Sequence, residues 1–157
     1  MKTRGWLPGF LVLLLASAPL SAQELQRFLP GSYQAIVDAR GARPFVLALW
    51  SVDCPPCYAE LKMLGELQRS QPFDLVLVST DAPGTATEAS RVLGRFGLDA
   101  NEAWIFAAPT ARLRFEIDRS WYGELPRSYL FMDGQREAVT GALEAATLRA
   151  WLERSRR

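Results

Sequence analysis

The sequence has no histidine, and it has only two cysteines, Cys54 and Cys57. Two cysteines supply two metal ligands, so without histidine a closed zinc site or a copper relay would need unusual partners. These two absences together remove most competing active-site chemistries. Any thiol or disulfide chemistry in this chain must therefore come from a single pair of cysteines, spaced three residues apart.

A strong charge of one sign is also lacking, because the formal net charge is +1. No stretch interleaves lysine and arginine with aromatic residues, so the chain lacks the electrostatic footprint of a nucleic-acid-binding protein. Internal repeats and low-complexity segments are absent as well. The composition, 49% hydrophobic and 22% charged, fits one globular domain with a substantial core.

The chain has no long uninterrupted apolar run. The best candidate, residues 7–20, follows a basic start and contains two prolines. It is short against the roughly 20 residues that span a bilayer. A small residue, Ala22, follows at a suitable cleavage position. The pattern predicts a cleaved secretory signal peptide over residues 1–22 and a single domain over residues 23–157, with an uncleaved membrane anchor as the alternative.

The rest of the sequence alternates strand and helix patterns. The apolar run at residues 45–50 is typical of a strand buried on both faces, and the cysteines follow it directly. Further strands are predicted at 73–78, 103–106, 127–132 and 137–140, and helices at 33–40, from the cysteines to about 69, at 85–96, at 110–117 and around 143–152. Residues 23–30 form a lead-in without assigned structure. This order predicts a three-layer α/β domain with a mixed sheet.

Cys54 falls where the first strand passes into the following helix. Unpaired N–H groups and the helix dipole favour an anion there, which lowers a thiol pKa and makes Cys54 the candidate nucleophile. Cys57, one helical turn further on, can resolve the mixed disulfide. Pro55 and Pro56 fix φ between them and should stiffen the turn. Trp50, at the end of the strand, is assigned partly to the core and partly to the wall of the site.

Export would place the cysteine pair where thiols are oxidised unless they are kept reduced, so the pair is either a catalytic dithiol or a structural bridge. A loop this small contributes little stability, which favours a redox role. Glu60 lies in the apolar helix face beside Cys57, and burial there would raise its pKa and let it carry the proton of Cys57. The alternative is that its stem reaches solvent at the edge of that face.

The segment LALWSVDCPPCYAEL, residues 47–61, resembles the active-site segment of the TlpA, ResA and DsbE-like branch of extracytoplasmic thioredoxin-fold proteins, whose members commonly read FWATWCPPCRAELP. The resemblance extends over about residues 32–152. Leu125-Pro126 before a strand and Asp133-Gly134 after it are similar to the proline and the turn of that family. The resemblance implies a thioredoxin-like fold with an extra helical insert between the second strand and the hairpin.

The same resemblance implies roles for individual residues. Cys54 attacks, Cys57 resolves, and Glu60 is the carboxylate three residues after the second cysteine. Pro126 is a cis-proline that faces the dithiol, and Leu125 presents backbone groups that pair with an extended substrate. Apart from the redox-active Cys54–Cys57 disulfide, no cofactor and no metal are expected.

The function that the resemblance implies is that of a periplasmic protein-disulfide oxidoreductase. It would be a monomer that reduces protein disulfides, with apocytochrome c or copper-site proteins as the substrate class, and a membrane thiol reductase would supply its electrons. The alternative is a non-catalytic thioredoxin-fold module that binds a partner or delivers a metal.

Three positions depart from the family pattern. Asp53 replaces the usual tryptophan before the first cysteine, and its charge should disfavour the Cys54 thiolate. Arg127 stands where a threonine usually follows the proline, and we expect both residues at the surface, where they bear on partner choice. Ala48 occupies the position at which thioredoxins keep a buried aspartate, so Glu60 would be the only carboxylate of that kind.

Overall fold

The computed structural model describes residues 24–156, and the predicted signal peptide lies outside these residues. The strands are β1 (Gln26–Phe28), β2 (Phe45–Trp50), β3 (Leu75–Ser79), β4 (Glu102–Phe106), β5 (Arg127–Met132) and β6 (Gln135–Thr140). The helices are α1 (Ser32–Arg40), α2 (Pro55–Ser70), α3 (Ala86–Arg95), α4 (Thr110–Ile117) and α5 (Ala145–Arg154), with a 3₁₀ turn at Pro83–Thr85 before α3.

The six strands form one mixed sheet in the order β1-β4-β3-β2-β5-β6. The first four strands in this order run parallel, whereas β5 and β6 are antiparallel to their neighbours. β2 lies inside the sheet, and all six of its residues are buried. Its continuous apolar sequence is suited to this position because both faces of the strand are covered.

Helices cover both faces of the sheet. On one face, α2, α3 and α5 pack around a core that includes Cys57, Leu64 and Trp151. On the other face, α1 and α4 pack around a second core that includes Phe45 and Tyr129. The chain therefore forms the predicted three-layer α/β domain with a mixed sheet, and α3 and α4 are the predicted helical insert between β3 and β5.

Helix α2 approaches the end of α3 closely at one glycine. A Cβ atom on Gly65 would lie 2.0 Å from the carbonyl oxygen of Phe96, a distance that real Cβ atoms do not adopt. Only glycine fits this contact, which holds the helix bearing the cysteines against the insert.

The β5–β6 hairpin turns at Asp133 and Gly134, as the sequence predicts. Both residues have positive φ, 54° and 73°, as a two-residue type I′ turn requires. β6 is longer than predicted and begins directly after the turn, at Gln135. Within residues 24–156, none of the helices is both long enough and apolar enough to cross a membrane.

Candidate active site

Cys54 and Cys57 form a disulfide where β2 passes into α2. Cys54 is the N-cap residue of α2, with extended backbone, and its Sγ accepts a hydrogen bond from the backbone N–H of Cys57 at 3.3 Å. In the reduced protein, this N–H group and the helix dipole favour a thiolate at Cys54. The sequence places the sulfur at this helix end because two prolines, tolerated in a first helical turn, follow it directly.

The two sulfur-bearing residues differ in accessibility. Cys54 is 8% exposed, and Cys57 is fully buried in the core under α2. Pro55 and Pro56, which lie between them, are both exposed. A partner molecule can therefore approach the disulfide from the side of Cys54 and the two prolines.

The loop between β2 and Cys54 is held by Asp81, which follows β3. The Asp81 carboxylate accepts hydrogen bonds from the Ser51 hydroxyl at 2.7 Å, the Val52 N–H at 2.9 Å and the Ser79 hydroxyl at 2.6 Å. The Tyr58 hydroxyl, on α2, donates to the carbonyl of Val52. The sequence analysis did not predict these hydrogen bonds of Asp81, although Asp81 follows a predicted strand at the sheet edge where the dithiol lies.

Glu60 is 3% exposed, so the aliphatic part of its side chain does not carry the carboxylate to solvent. Its Oε1 accepts a hydrogen bond from the Ser128 hydroxyl at 2.5 Å, and its Oε2 accepts one from the Leu143 N–H at 2.9 Å. The carboxylate thus joins α2 to β5 and to the segment before α5. Burial raises the pKa of Glu60, and the two hydrogen bonds partly oppose that rise because they favour the charged form.

Ala48 lies opposite Ser128 in the pairing of β2 with β5. Its methyl group brings no polar atom to this part of the core. Within residues 24–156, no arginine or lysine forms an ion pair with Glu60. Glu60 is therefore a buried carboxylate held by hydrogen bonds alone, on the same helix face as Cys57.

The peptide bond between Leu125 and Pro126 is cis, as the resemblance implies, and the orientation of Pro126 towards the dithiol stays a prediction. The strand pairing ends with Leu49 opposite Arg127. Continued by one residue, the same register places Pro126 opposite Trp50, so this segment lies beside the end of β2. In the part of the chain that the structure describes, the Leu125 backbone forms no hydrogen bond, whereas the Pro126 carbonyl accepts one from Gly141.

Arg127 is 9% exposed, so the expectation that it lies on the surface is wrong. Its guanidinium donates to Asp118 at 2.9 Å and to the Tyr129 hydroxyl at 3.2 Å, and it also contacts Thr140. The physical reason is the alternation of side chains along β5, which turns Arg127 away from Ser128 and towards the second core. Asp53, in contrast, is exposed as expected.

An ionic cluster formed by Arg127, Asp118 and Tyr129 connects β5 with the segment before Pro126. The Tyr129 hydroxyl donates to Asp118 at 3.0 Å, and Ser120 donates to the same carboxylate. Burial would raise the pKa of Asp118, but these hydrogen bonds and Arg127 outweigh it and hold the pKa well below its usual value. Burial raises the pKa of Tyr129 to about 12.

Trp50 is 2% exposed and belongs to the core that contains Cys57. A contact between its side chain and a substrate stays a prediction. Among residues 24–156, no group of three or more histidine, cysteine, aspartate or glutamate side chains is placed to hold a metal ion.

Solved structures with a similar fold include proteins described as disulfide oxidoreductases or thiol:disulfide interchange proteins. A secreted disulfide oxidoreductase of Mycobacterium tuberculosis, described as homologous to E. coli DsbE, has a TM-score of 0.60 and 20% identity over 74% of this chain and 85% of its own. StoA from Bacillus subtilis has a TM-score of 0.51 and 21% identity, over 71% and 83% of the two chains.

A thiol:disulfide interchange protein of the thioredoxin family from Chlorobium tepidum has a TM-score of 0.57 and 14% identity, over 76% of this chain and 83% of its own. No protein-family model matches the sequence, and a search of curated proteins finds no match. At these identities the likeness establishes the fold: the chain has the thioredoxin-like architecture that the sequence predicts.

Proposed function

We propose that the protein is an extracytoplasmic thiol-disulfide oxidoreductase that acts on protein disulfides. The observation that carries this proposal is the disulfide at the start of α2, in which Cys54, with 8% of its surface exposed, is bonded to a fully buried Cys57. A buried carboxylate on the same helix and a cis-proline segment beside the end of β2 accompany this disulfide on a thioredoxin-like fold. The activities named for the structural neighbours support the same chemistry.

In the reducing direction, the Cys54 thiolate attacks one sulfur of the substrate disulfide. A bond forms between that sulfur and Cys54, the substrate disulfide breaks, and the other substrate sulfur leaves as a thiolate. Cys57 then loses its proton and attacks the Cys54 sulfur. The Cys54–Cys57 disulfide forms, the second substrate sulfur leaves as a thiolate, and two electrons have passed from the protein to the substrate.

Glu60 supports the second attack. Cys57 is fully buried, so its thiol cannot pass a proton directly to bulk water. Glu60 lies three residues further along the same helix, and burial raises its pKa above the usual carboxyl value. A raised pKa brings the carboxylate closer to the range in which it accepts a proton from a thiol and returns it to the leaving thiolate or to solvent.

Substrate recognition falls to the segment around Leu125. Its unpaired backbone groups lie beside the end of β2 and can pair with an extended substrate chain, with Pro55 and Pro56 as neighbouring surface. By resemblance, the substrate class is apocytochrome c or copper-site proteins, and a membrane thiol reductase restores the dithiol. We further propose a periplasmic, monomeric protein released by cleavage after Ala22.

Turnover with a model protein disulfide tests this function. Residues 23–157, pre-reduced and supplied with dithiothreitol, should reduce the disulfides of insulin, and Cys54→Ala should abolish the reduction. Cys57→Ser should accumulate a mixed disulfide with its substrate, which mass spectrometry identifies. Equal rates for the parent and Cys54→Ala would contradict the proposal, and a stable complex without turnover would instead favour the partner-binding module.

A further inference from the structure

Ser128 lies on β5, two residues after the cis-proline, and it is fully buried. Its hydroxyl donates to Glu60 Oε1 at 2.5 Å. Neighbouring side chains on a strand point to opposite faces, so Ser128 faces α2 whereas Arg127 and Tyr129 face the second core. Ser128 is thus the side chain by which β5 contacts the Glu60 carboxylate, three residues after Cys57 on α2.

The two groups that donate hydrogen bonds to Glu60 differ in whether they can also accept one. The backbone N–H of Leu143 can only donate, so it is suited to a charged Oε2. A serine hydroxyl can donate to a carboxylate or, after rotating, accept from a carboxylic acid. Oε1, beside Ser128, is therefore the oxygen at which Glu60 can gain and lose a proton while Ser128 Oγ remains its hydrogen-bond partner.

We propose that Ser128 is a positioning residue for the thiol-disulfide reaction, and this inference rests on the proposed function. It fixes the orientation of the Glu60 carboxylate and keeps Oε1 able to exchange a proton with Cys57. In the resolving step, the S–H bond of Cys57 breaks and the proton passes to Oε1. The sulfur electron pair forms the bond to Cys54 as the bond between Cys54 and the substrate breaks.

Among the groups around Glu60, Ser128 is the main one whose side chain can change the pKa of the Glu60 carboxyl group. Among residues 24–156, the hydrogen-bond partners of Glu60 are Ser128 on β5 and Leu143 before α5, Ala48 on β2 pairs with Ser128, and none of these three residues ionises. The titratable groups on its own helix face are the thiols of Cys57 and, at the N-cap, Cys54. No ion pair to Glu60 is found among residues 24–156.

The test measures the titration of Glu60 and the pH profile of turnover together. Carboxyl-carbon NMR of the reduced protein should show a Glu60 midpoint about one pH unit or more higher in Ser128→Ala, because a hydrogen bond to a charged group corresponds to about that shift. On the acid side of the pH profile, the pH at which the rate of insulin reduction changes should also move upward. Ser128→Thr, which keeps the hydroxyl, should retain the parent midpoint.

Two controls separate this role from a general loss of stability. In a Glu60→Gln background, Ser128→Ala should produce no further change in the pH profile. Ser90→Ala, which removes a buried hydroxyl on α3, should leave the Glu60 midpoint unchanged. If Ser128→Ala does not fold, the pair Ser128→Thr and Ser128→Val, of nearly equal volume, makes the same comparison.

The outcomes distinguish this inference from the proposed function. If the parent reduces insulin and Ser128→Ala shows the same pH profile as the parent, the role of Ser128 is overturned and the proposed function stands. An equal shift in Ser90→Ala, or an unchanged Glu60 midpoint in Ser128→Ala, would overturn it as well. No insulin reduction by the parent, together with the expected shift of the Glu60 midpoint, would overturn the proposed function and leave Ser128 as a structural partner of Glu60.

Discussion

At the scale of single residues, the site contains two sulfur atoms and two carboxylates in different environments. Asp53 is exposed and Cys54 keeps 8% of its surface exposed, whereas Cys57 and Glu60 are enclosed. Electrostatic effects differ between the two environments, because water screens exposed charges strongly and buried ones weakly. Asp53 should therefore adjust the rate of Cys54 modestly, and Glu60 should have larger, pH-dependent effects.

Asp53→Asn should accelerate the alkylation of Cys54 by iodoacetamide near neutral pH. Removing the neighbouring negative charge favours the thiolate, and the exposed position of Asp53 limits the gain to about two- to fivefold. The rate in reduced protein at low salt measures the effect, and high salt should remove it. Glu88→Gln, at an exposed site on α3, is the control and should not change the rate. Equal rates for parent and Asp53→Asn would show that solvent screens the charge fully.

Glu60→Gln should change how stability depends on pH. Because burial raises the pKa of Glu60 above its usual 4.5, the folded state holds the carboxyl proton more tightly than the unfolded state. The parent should therefore lose stability relative to Glu60→Gln as the pH rises above about 4.5 and through the folded pKa. Urea unfolding at a series of pH values measures this difference. A difference that stays constant with pH would contradict a raised pKa.

At the scale of elements, local pattern accounts for most of the fold. The six apolar residues of β2 and the positive-φ turn of the hairpin carry their own signals, and the structure confirms both. β1 was missed because three residues, two of them exposed, have no pattern and become a strand only by pairing with β4. Arg127 was misplaced because its partner Asp118 is identified only once β5 is paired and turned.

The candidate site divides in the same way. The cysteines, their prolines and the position of Glu60 within an apolar face follow from local spacing. The partners of Glu60 do not, because Ser128 and Leu143 lie 68 and 83 residues further along the chain. Asp81 likewise reaches the loop before Cys54 from 29 and 30 residues away. Sequence spacing predicts the groups that react, and packing determines the groups that hold them.

The ionic cluster of Arg127, Asp118 and Tyr129 joins β5 to the segment before the cis-proline. Arg127→Ala should lower the free energy of unfolding by about 2 kcal/mol, because it removes the nearer of the two guanidinium groups that contact the nearly buried Asp118 carboxylate and leaves Arg136 at 3.7 Å. Chemical denaturation at pH 7 measures this loss. Arg112→Ala, which breaks an exposed pair with Glu116, is the control and should cost under about 0.5 kcal/mol. Similar losses in both variants would show that the cluster adds little.

The same cluster predicts an acid-sensitive contribution to stability. The pKa of Asp118 is lowered in the folded state, so its contribution is present above the usual value of 3.8 and is lost as the pH falls through the folded pKa. The difference in unfolding free energy between the parent and Asp118→Asn should be constant from pH 5 to 7 and shrink in stronger acid. Thermal unfolding across this range provides the measurement, and a difference that grows in acid would contradict the lowered pKa.

At the scale of the whole molecule, one sheet carries the reactive groups at one end and is covered by helices on both faces. Strand β1 begins at Gln26, close after the predicted cleavage position. When the full chain is expressed in a bacterial host that exports it, intact-mass measurement should show a protein beginning at Gln23. A full-length chain recovered from the membrane fraction would instead favour the uncleaved anchor.

The hairpin turn lies at the end of β5 away from the cis-proline. Asp133 and Gly134 are exposed, and β5 spans six residues, about 20 Å, between the turn and Arg127. A Cβ placed on Gly134 meets no atom within 4 Å. The turn is therefore a suitable insertion point for a peptide tag, through which Cys57→Ser could be anchored to a solid support with its reactive end turned towards the solution.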